Sequence, residues 1–219
     1  MINSSRTRGA SMAIVFPKAQ AMKTLLDALW NEHRSIAAVL HAMTKVMRGA
    51  DAHGRSVDPR LLRAILYYLD IFPERVHHPK EEKYLFAAIR RRTHEADNVL
   101  EELRREHEAG EGAMRSVEQA LLRYEQGGAP EWEALHDAVT RFVANYREHM
   151  RKEEQEVMPI AHRMLTDQDW IELNAEWAAH HDPLADIESG KEYERLLDRI
   201  VELAPAPIGI ARRGVEPAR

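Results

Sequence analysis

The sequence contains no cysteine. That absence removes zinc ribbons, iron-sulfur clusters, thiol nucleophiles and CxxC redox chemistry together, and leaves nitrogen and oxygen as the donors for any metal. Excess positive charge is missing too: 31 Lys and Arg against 36 Asp and Glu give a formal charge of −5. Phosphate backbones and anionic lipid reward basic surfaces, so neither a nucleic-acid nor a membrane partner is expected. Long apolar runs are absent as well, since no stretch approaches the roughly 18–20 residues of a membrane span. Ala10 to Phe16 is short, ends at Pro17-Lys18 and carries no cleavage-site pattern, so a cytoplasmic protein is expected. Met12 is an alternative start, with the residues before it then a structureless extension.

What is present is a chain of 219 residues, long enough to bury a core without staples, with an unusual number of histidines, twelve. Gly and Pro punctuate it at wide intervals, and the segments between carry a 3.6-residue apolar rhythm. The spacing predicts helices over Ala21 to Met47 (stopping before Gly49), Asp58-Pro59 to Arg91 with bends at Pro73 and Pro79, Ala96 to Gln126 (stopping at Gly127-Gly128), and Pro130 to Leu165 with a kink near Pro159. Four such helices joined by short polar loops describe an all-α fold, an antiparallel up-down-up-down four-helix bundle over residues 20–165. Residues 1–19 read as a flexible N-terminal extension. Residues 166–219 read as a short helical extension, opened by a Thr166-x-x-Asp169 capping box and ending near His180, with a second short helix over Lys191 to Leu203 and then a flexible tail.

Each long helix carries a titratable interruption in its apolar stripe. The stripes are Leu29, His33, Ile36, Leu40, Met43, Met47; then His77, Glu81, Tyr84, Ala88; then Leu100, Leu103, His107, Gly110, Met114, Val117, Leu121; and Leu135, Val139, Phe142, Tyr146, His149, Glu153, Val157, Ile160, Met164. His77 and Glu81 are four apart, as are His149 and Glu153, so each pair projects from one helical face. Two buried carboxylates without partners are costly, and a cation between them removes the cost. Four imidazoles and two carboxylates suit iron or manganese.

The pattern also repeats. Glu32-His33 recurs as Glu106-His107, and His77-His78-Pro79-Lys80-Glu81-Glu82 as His149-Met150-Arg151-Lys152-Glu153-Glu154. The offset is 74 between His33 and His107, and 72 both for His77 with His149 and for Glu81 with Glu153. Two similar hairpins facing each other hold two metal ions with approximate two-fold symmetry. The alignment selects His77 and Glu81 over the equally spaced His78 and Glu82, so His78, Glu82 and Glu154 are read as outer or solvated groups. A ferritin-like pattern is rejected, because Glu74-x-x-His77 and Glu133-x-x-His136 fail the repeat offset.

A lone His-x-x-x-Glu is ordinarily a surface pair; two in register are not. His41, His94, His136 and His162 lie off the stripes and are read as solvated, His53 as a loop residue, and His180-His181 as a helix C-terminal cap. The Arg90-Arg91-Arg92 and Arg104-Arg105 runs are read as solvated surface. Trp30 and Tyr146, three residues before His33 and His149, are expected to line the interior near the metals.

With Glu32-His33-Arg34, His77 to Glu82 followed by Leu85-Phe86, Arg105-Glu106-His107, and His149 to Glu154 through Pro159, the sequence resembles the hemerythrin-like, or HHE cation-binding, family over roughly residues 22–164. The resemblance implies an oxo- or hydroxo-bridged centre of two iron ions, with Glu81 and Glu153 bridging and His33, His77, His107 and His149 as terminal ligands; manganese and zinc are the alternatives. Oxygen-carrying members have a fifth His one turn after the third-helix His. Here that position is Glu111, which argues against reversible oxygen storage and makes Glu111 a candidate additional ligand or gate, beside Tyr146 and His78. The expected partner is a small ligand, oxygen, nitric oxide or peroxide, with turnover left open and a homodimer allowed. A sensor module signalling to a partner and a structural bundle are the competing readings.

Overall fold

The computed structural model describes residues 18–52, 54, 56–178, 184, 198 and 200, and among them there is no strand. Helix α1 is Lys18–Ala52. Helix α2 runs without a break over 59–92, α3 is Asp97–Gly127, α4 covers 132–164, and α5 is Asp167–Trp177. Helices α1 to α4 pack on one another in an arrangement consistent with the expected four-helix bundle, and α5 lies along α1. No helix among the described residues is long and apolar enough to cross a membrane.

The start and stop signals act locally as their chemistry dictates. The Asp58 carboxylate accepts from the Arg60 amide at 2.9 Å with Pro59 in the first turn, which caps α2. Gly128, at φ +69° and ψ −143°, takes an extended backbone with positive φ that glycine alone adopts readily, and it ends α3. Thr166 and Asp169 form the reciprocal box that opens α5, which ends at Trp177, short of the expected His180. Gly49 does not end α1. Met47 and Ala50 flank it and are both buried, and their packing carries the helix past a residue that costs about 1 kcal/mol in a helix interior.

The prolines inside α2 and α4 widen the helices instead of breaking them. Asp70–His77 and Glu81–Phe86 in α2, and Glu153–Val157 in α4, are π-helical turns. Their bonds span five residues: the His78 amide reaches the Pro73 carbonyl, and the Met158 amide reaches the Glu153 carbonyl. A proline has no N–H and its ring crowds the carbonyl four residues earlier, and a wider turn relieves both around Pro73, Pro79 and Pro159; the Glu81–Phe86 turn contains no proline.

Two apolar clusters result. One gathers Ile36, Leu40 and Met43 with Leu62, Phe72, Met114, Leu121 and Leu135, and the other gathers Leu25 and Leu29 with Leu85, Phe86, Leu103, Val157, Ala161, Trp170 and Trp177. At about 1.5–3 kcal/mol for each large apolar side chain buried, they supply the stabilisation that tolerates a polar layer between them. Only Asp198 and Ile200 of the expected Lys191 to Leu203 helix are described, both helical. Of the expected flexible extension over residues 1–19, Lys18 and Ala19 are instead helical, in the first turn of α1, and the rest lies outside the described residues, as do the loop residue His53, the His180-His181 cap and the tail from Ala204.

Candidate metal centre

Between the two apolar clusters, α1 contributes His33, α2 His77 and Glu81, α3 His107, and α4 His149 and Glu153. Five of the six are buried, Glu81 completely, and the His107 side chain is 6% exposed. Their donor atoms fall into two groups, His33, His77, Glu81, Glu153 and Glu81, His107, His149, Glu153, with the atoms of each within 4.8 Å of one another. The carboxylates are shared atom by atom. Glu81 Oε1 faces His77 Nε2 at 3.5 Å and His33 Nε2 at 3.9 Å, while its Oε2 faces His107 Nε2 at 4.0 Å. Glu153 Oε2 faces His33 Nε2 at 3.4 Å, and its Oε1 faces His149 Nε2 at 3.1 Å and His107 Nε2 at 3.7 Å.

A second layer of carboxylates fixes the imidazoles. Nδ1 of His33 donates to Glu154 at 2.9 Å, His77 to Glu32 at 2.7 Å, His107 to Glu82 at 2.7 Å and His149 to Glu106 at 2.8 Å. A carboxylate only accepts, so each Nδ1 carries a proton and each Nε2 is left facing the centre, the tautomer a metal requires. The accepting carboxylates run in chain order: α1 holds the histidine of α2, α2 that of α3, α3 that of α4, and α4 that of α1. Lys80 Nζ bonds Glu32 at 2.7 Å, and Lys152 bonds Glu106 in the same way. The internal repeat therefore extends through both layers.

The centre is built for positive charge. All four oxygens of Glu81 and Glu153, together with His33 Nε2, are buried without a hydrogen-bond partner. Each such group left unsatisfied costs about 1–3 kcal/mol, more for a charge. His107 Nε2 and His149 Nε2 approach to 3.0 Å, too close for two lone pairs unless a proton or cation stands between them. Two nitrogens about 2.1 Å from one ion at right angles also sit about 3.0 Å apart, so the residues fit a metal. In the metal-free chain protons take that place. Burial opposes charge on His33, but the Glu154 bond and the facing Glu81 and Glu153 outweigh it and raise its pKa to about 10. His149 likewise rises to about 10 against its burial, through Glu153 and Glu106. Glu153 is held well below the carboxylate range, its burial outweighed by His149, His107 and His33.

His78 is buried, yet it lies flat on His107, with ring centroids 4.2 Å apart and planes 12° apart. A ring nitrogen of His78 lies within 4.8 Å of donor atoms of His107 and His149; an ion in the plane of His107 cannot also lie in the plane of a parallel ring, so the stacking turns His78 beside that ion rather than onto it. Its Nε2 meets the Tyr146 hydroxyl at 3.3 Å, and that hydroxyl donates to Glu74 at 3.2 Å. Tyr146 thus lies inside, as expected. Trp30 does not: it is 42% exposed, with its ring edge toward His33. Glu111 is also placed away from the centre, its side chain 77% exposed and paired with Arg115. The space a fifth ligand from α3 would cross is taken by Glu74, whose carboxylate lies 2.6 Å from where a Cβ on Gly110 would stand.

Four participants carry no role assigned from the sequence: Glu32, Glu106, Glu74 and Trp177. Glu32 and Glu106 stand beside His33 and His107 in both repeats, so the repeat itself signals them. Glu74 and Trp177, whose Nε1 donates to Glu32 at 3.1 Å, have no counterpart in the other half and hence no sequence signal.

The family model of the hemerythrin HHE cation-binding domain matches residues 52–161, which includes five of the six inner donors and excludes His33. No curated protein and no solved structure matches the chain.

Proposed function

The chain belongs to the hemerythrin HHE cation-binding family, and on that premise we propose that it is a non-haem di-iron protein which binds or reacts with oxygen, nitric oxide or peroxide at the centre of an antiparallel bundle. The observation that carries the reading is the division of Glu81 and Glu153, each presenting one unpartnered oxygen to His33 and another to the His107 side. His33 and His77 would hold one ion, His107 and His149 the other, and the two glutamates would bridge them. Imidazole and carboxylate donors accept iron, with manganese and zinc as chemical competitors. Bound iron would supply the redox chemistry. The chain's own residues orient the imidazoles through Glu32, Glu82, Glu106 and Glu154, set the centre between two apolar clusters, and neutralise Glu32 and Glu106 through Lys80 and Lys152.

Metal analysis and absorption spectra of aerobically and anaerobically purified protein test this. About two irons per chain with near-ultraviolet charge-transfer bands are expected; metal-free, colourless protein that takes up no added iron would sink the reading. Catalytic consumption of nitric oxide or peroxide would mark an enzyme. One observation favours a sensor as the second reading: Trp177 bonds Glu32, which bonds His77, so the state of the centre can be felt by α5.

A further inference from the structure

Between α2 and α3 runs a groove of about 520 Å³ whose lining includes none of the six inner donors. Its floor is apolar. Leu66, Met114 and Leu121 are buried there, Tyr67 is half-buried, and Leu122 stands 52% exposed at the edge. Its walls are charged: Arg63 pairs with Glu125, Arg75 with Asp70 and Arg115 with Glu111, so each arginine is answered by one acid. Glu74 and Glu118 are left over, an excess of two carboxylates. Glu74 accepts from Tyr146, while Glu118 is exposed.

A segment of the same chain has the matching chemistry. Ile200 is fully buried in the apolar cluster that also holds Leu66, Met114 and Leu121. Beyond it the sequence runs Ala204-Pro205-Ala206-Pro207-Ile208-Gly209-Ile210-Ala211-Arg212-Arg213, and residues 204–215 carry two positive charges and no acid. We propose that residues 205–213 lie extended in the groove between α2 and α3, as a strap supplied by the chain itself. The eight residues from Ile200 to Ile208 reach up to about 29 Å, enough to cross a pair of packed helices. Each proline fixes its own φ and turns the residue before it toward extended backbone, which lowers the cost of ordering the segment. Extended residues alternate, so Ile208 and Ile210 share the side laid on Tyr67, Leu121 and Leu122. Arg212 and Arg213 bring the charge that Glu118 lacks. The lengths agree as well: Arg63 and Arg75 are about 18 Å apart along α2, and Pro207 to Arg212 covers about 17 Å when extended.

The absence of native cysteine makes the test direct. In the full chain, Leu122→Cys with Ile208→Cys sets one thiol at the edge of the groove and one on the strap, and Leu122 is exposed, so its substitution carries little folding risk. Mild oxidation of dilute protein should close a disulfide within one chain, read by mass as a monomer lighter by the two thiol hydrogens. A loosely tethered segment would also meet Leu122, so the rate decides. Ile210→Asp or Arg212→Glu, added to the pair, spoils the seat and leaves both thiols in place; each should slow closure at least tenfold. A rate indifferent to both substitutions would overturn the proposal, and so would a failure to close. Covalent dimers as the main product would also overturn it, by giving the groove to a second copy of the chain.

Discussion

Glu32 and His77 are joined by a 2.7 Å hydrogen bond that crosses from α1 to α2 and sets which face of the imidazole ring meets the centre. Carboxylates in this position are worth about 10–100-fold in metal affinity where they orient an imidazole ligand. Glu32→Gln should therefore weaken metal binding by about that factor, and Glu106→Gln should do so less because Glu106 is partly exposed. Competition titration against a chelator of known affinity measures both, and unchanged affinity in Glu32→Gln would remove the orienting role.

His77→Ala and His149→Ala should lose metal and stability together, since Glu81 and Glu153 then stay buried with too little compensating charge. His78→Ala should keep its metal, because its ring is stacked parallel on His107 and an ion in the His107 plane lies outside the His78 plane. Metal content of the three purified variants decides the register; an empty site in His78→Ala with a full one in His77→Ala would reverse it.

The pH behaviour of the empty and filled protein should run in opposite directions. His33 and His149 are raised to about 10 in the metal-free fold, so their contribution to its stability is complete below the ordinary 6.5 and is lost as pH rises through 10. Chelated protein should show a falling Tm between pH 7 and 10. Metal must displace those protons, so uptake at pH 8 in weak buffer should acidify the solution, and a metal addition without proton release would contradict the protonated pair.

Asp169→Ala should cost about 1 kcal/mol through loss of the α5 capping box, a drop of about 2–4 °C in Tm for a chain of this size. The carboxyl is held at about 2; its burial is outweighed by Arg92 and Thr166. Its stabilisation is thus complete above about pH 4 and lost as pH falls through 2. Parallel acid melts of wild type and variant should converge at the low end, and a gap that stays constant would show that the titration is not involved.

Glu111→Ala should change neither metal content nor azide affinity, because the side chain is turned to solvent against Arg115. A tighter or weaker azide complex at full iron loading would put Glu111 back at the gate.

The stripes of α1 and α3 were legible from periodicity alone: Leu29, Ile36, Leu40 and Met43, like Leu100, Leu103, Val117 and Leu121, are buried where a 3.6 period puts them. In α2 and α4 the period holds up to the glutamates and then slips by one residue. Leu85 is fully buried where Tyr84 was counted, and Ala161 and Leu165 are buried where Ile160 and Met164 were counted. A π turn adds a residue to the helix, and steps of threes and fours cannot register that. The six inner donors escaped the slip because α1 and α3 carry no wide turn, His149 and Glu153 lie at or before the one in α4, and the α2 stripe starts at His77, where the Asp70–His77 turn ends, and reaches Glu81 before the next one. Trp30, Glu111 and Trp177 were out of reach for another reason: their positions depend on which neighbour fills a space, Glu74 at Gly110 and α5 over Lys80, and no spacing encodes that.

The carboxylate of each long helix orders the histidine of the next, and the fourth returns to the first. Such a loop has no beginning. Removing any one helix unties two bonds, leaving one ring free to turn and one acid without its proton donor, so partial assembly has no intermediate stage with a sound centre. A fragment starting at residue 52 would retain five of the inner donors, yet His77 would have lost its anchor and Glu154 its guest. The centre thereby audits the completeness of the fold around it, and fidelity of metal capture becomes a property of the closed circuit as a whole.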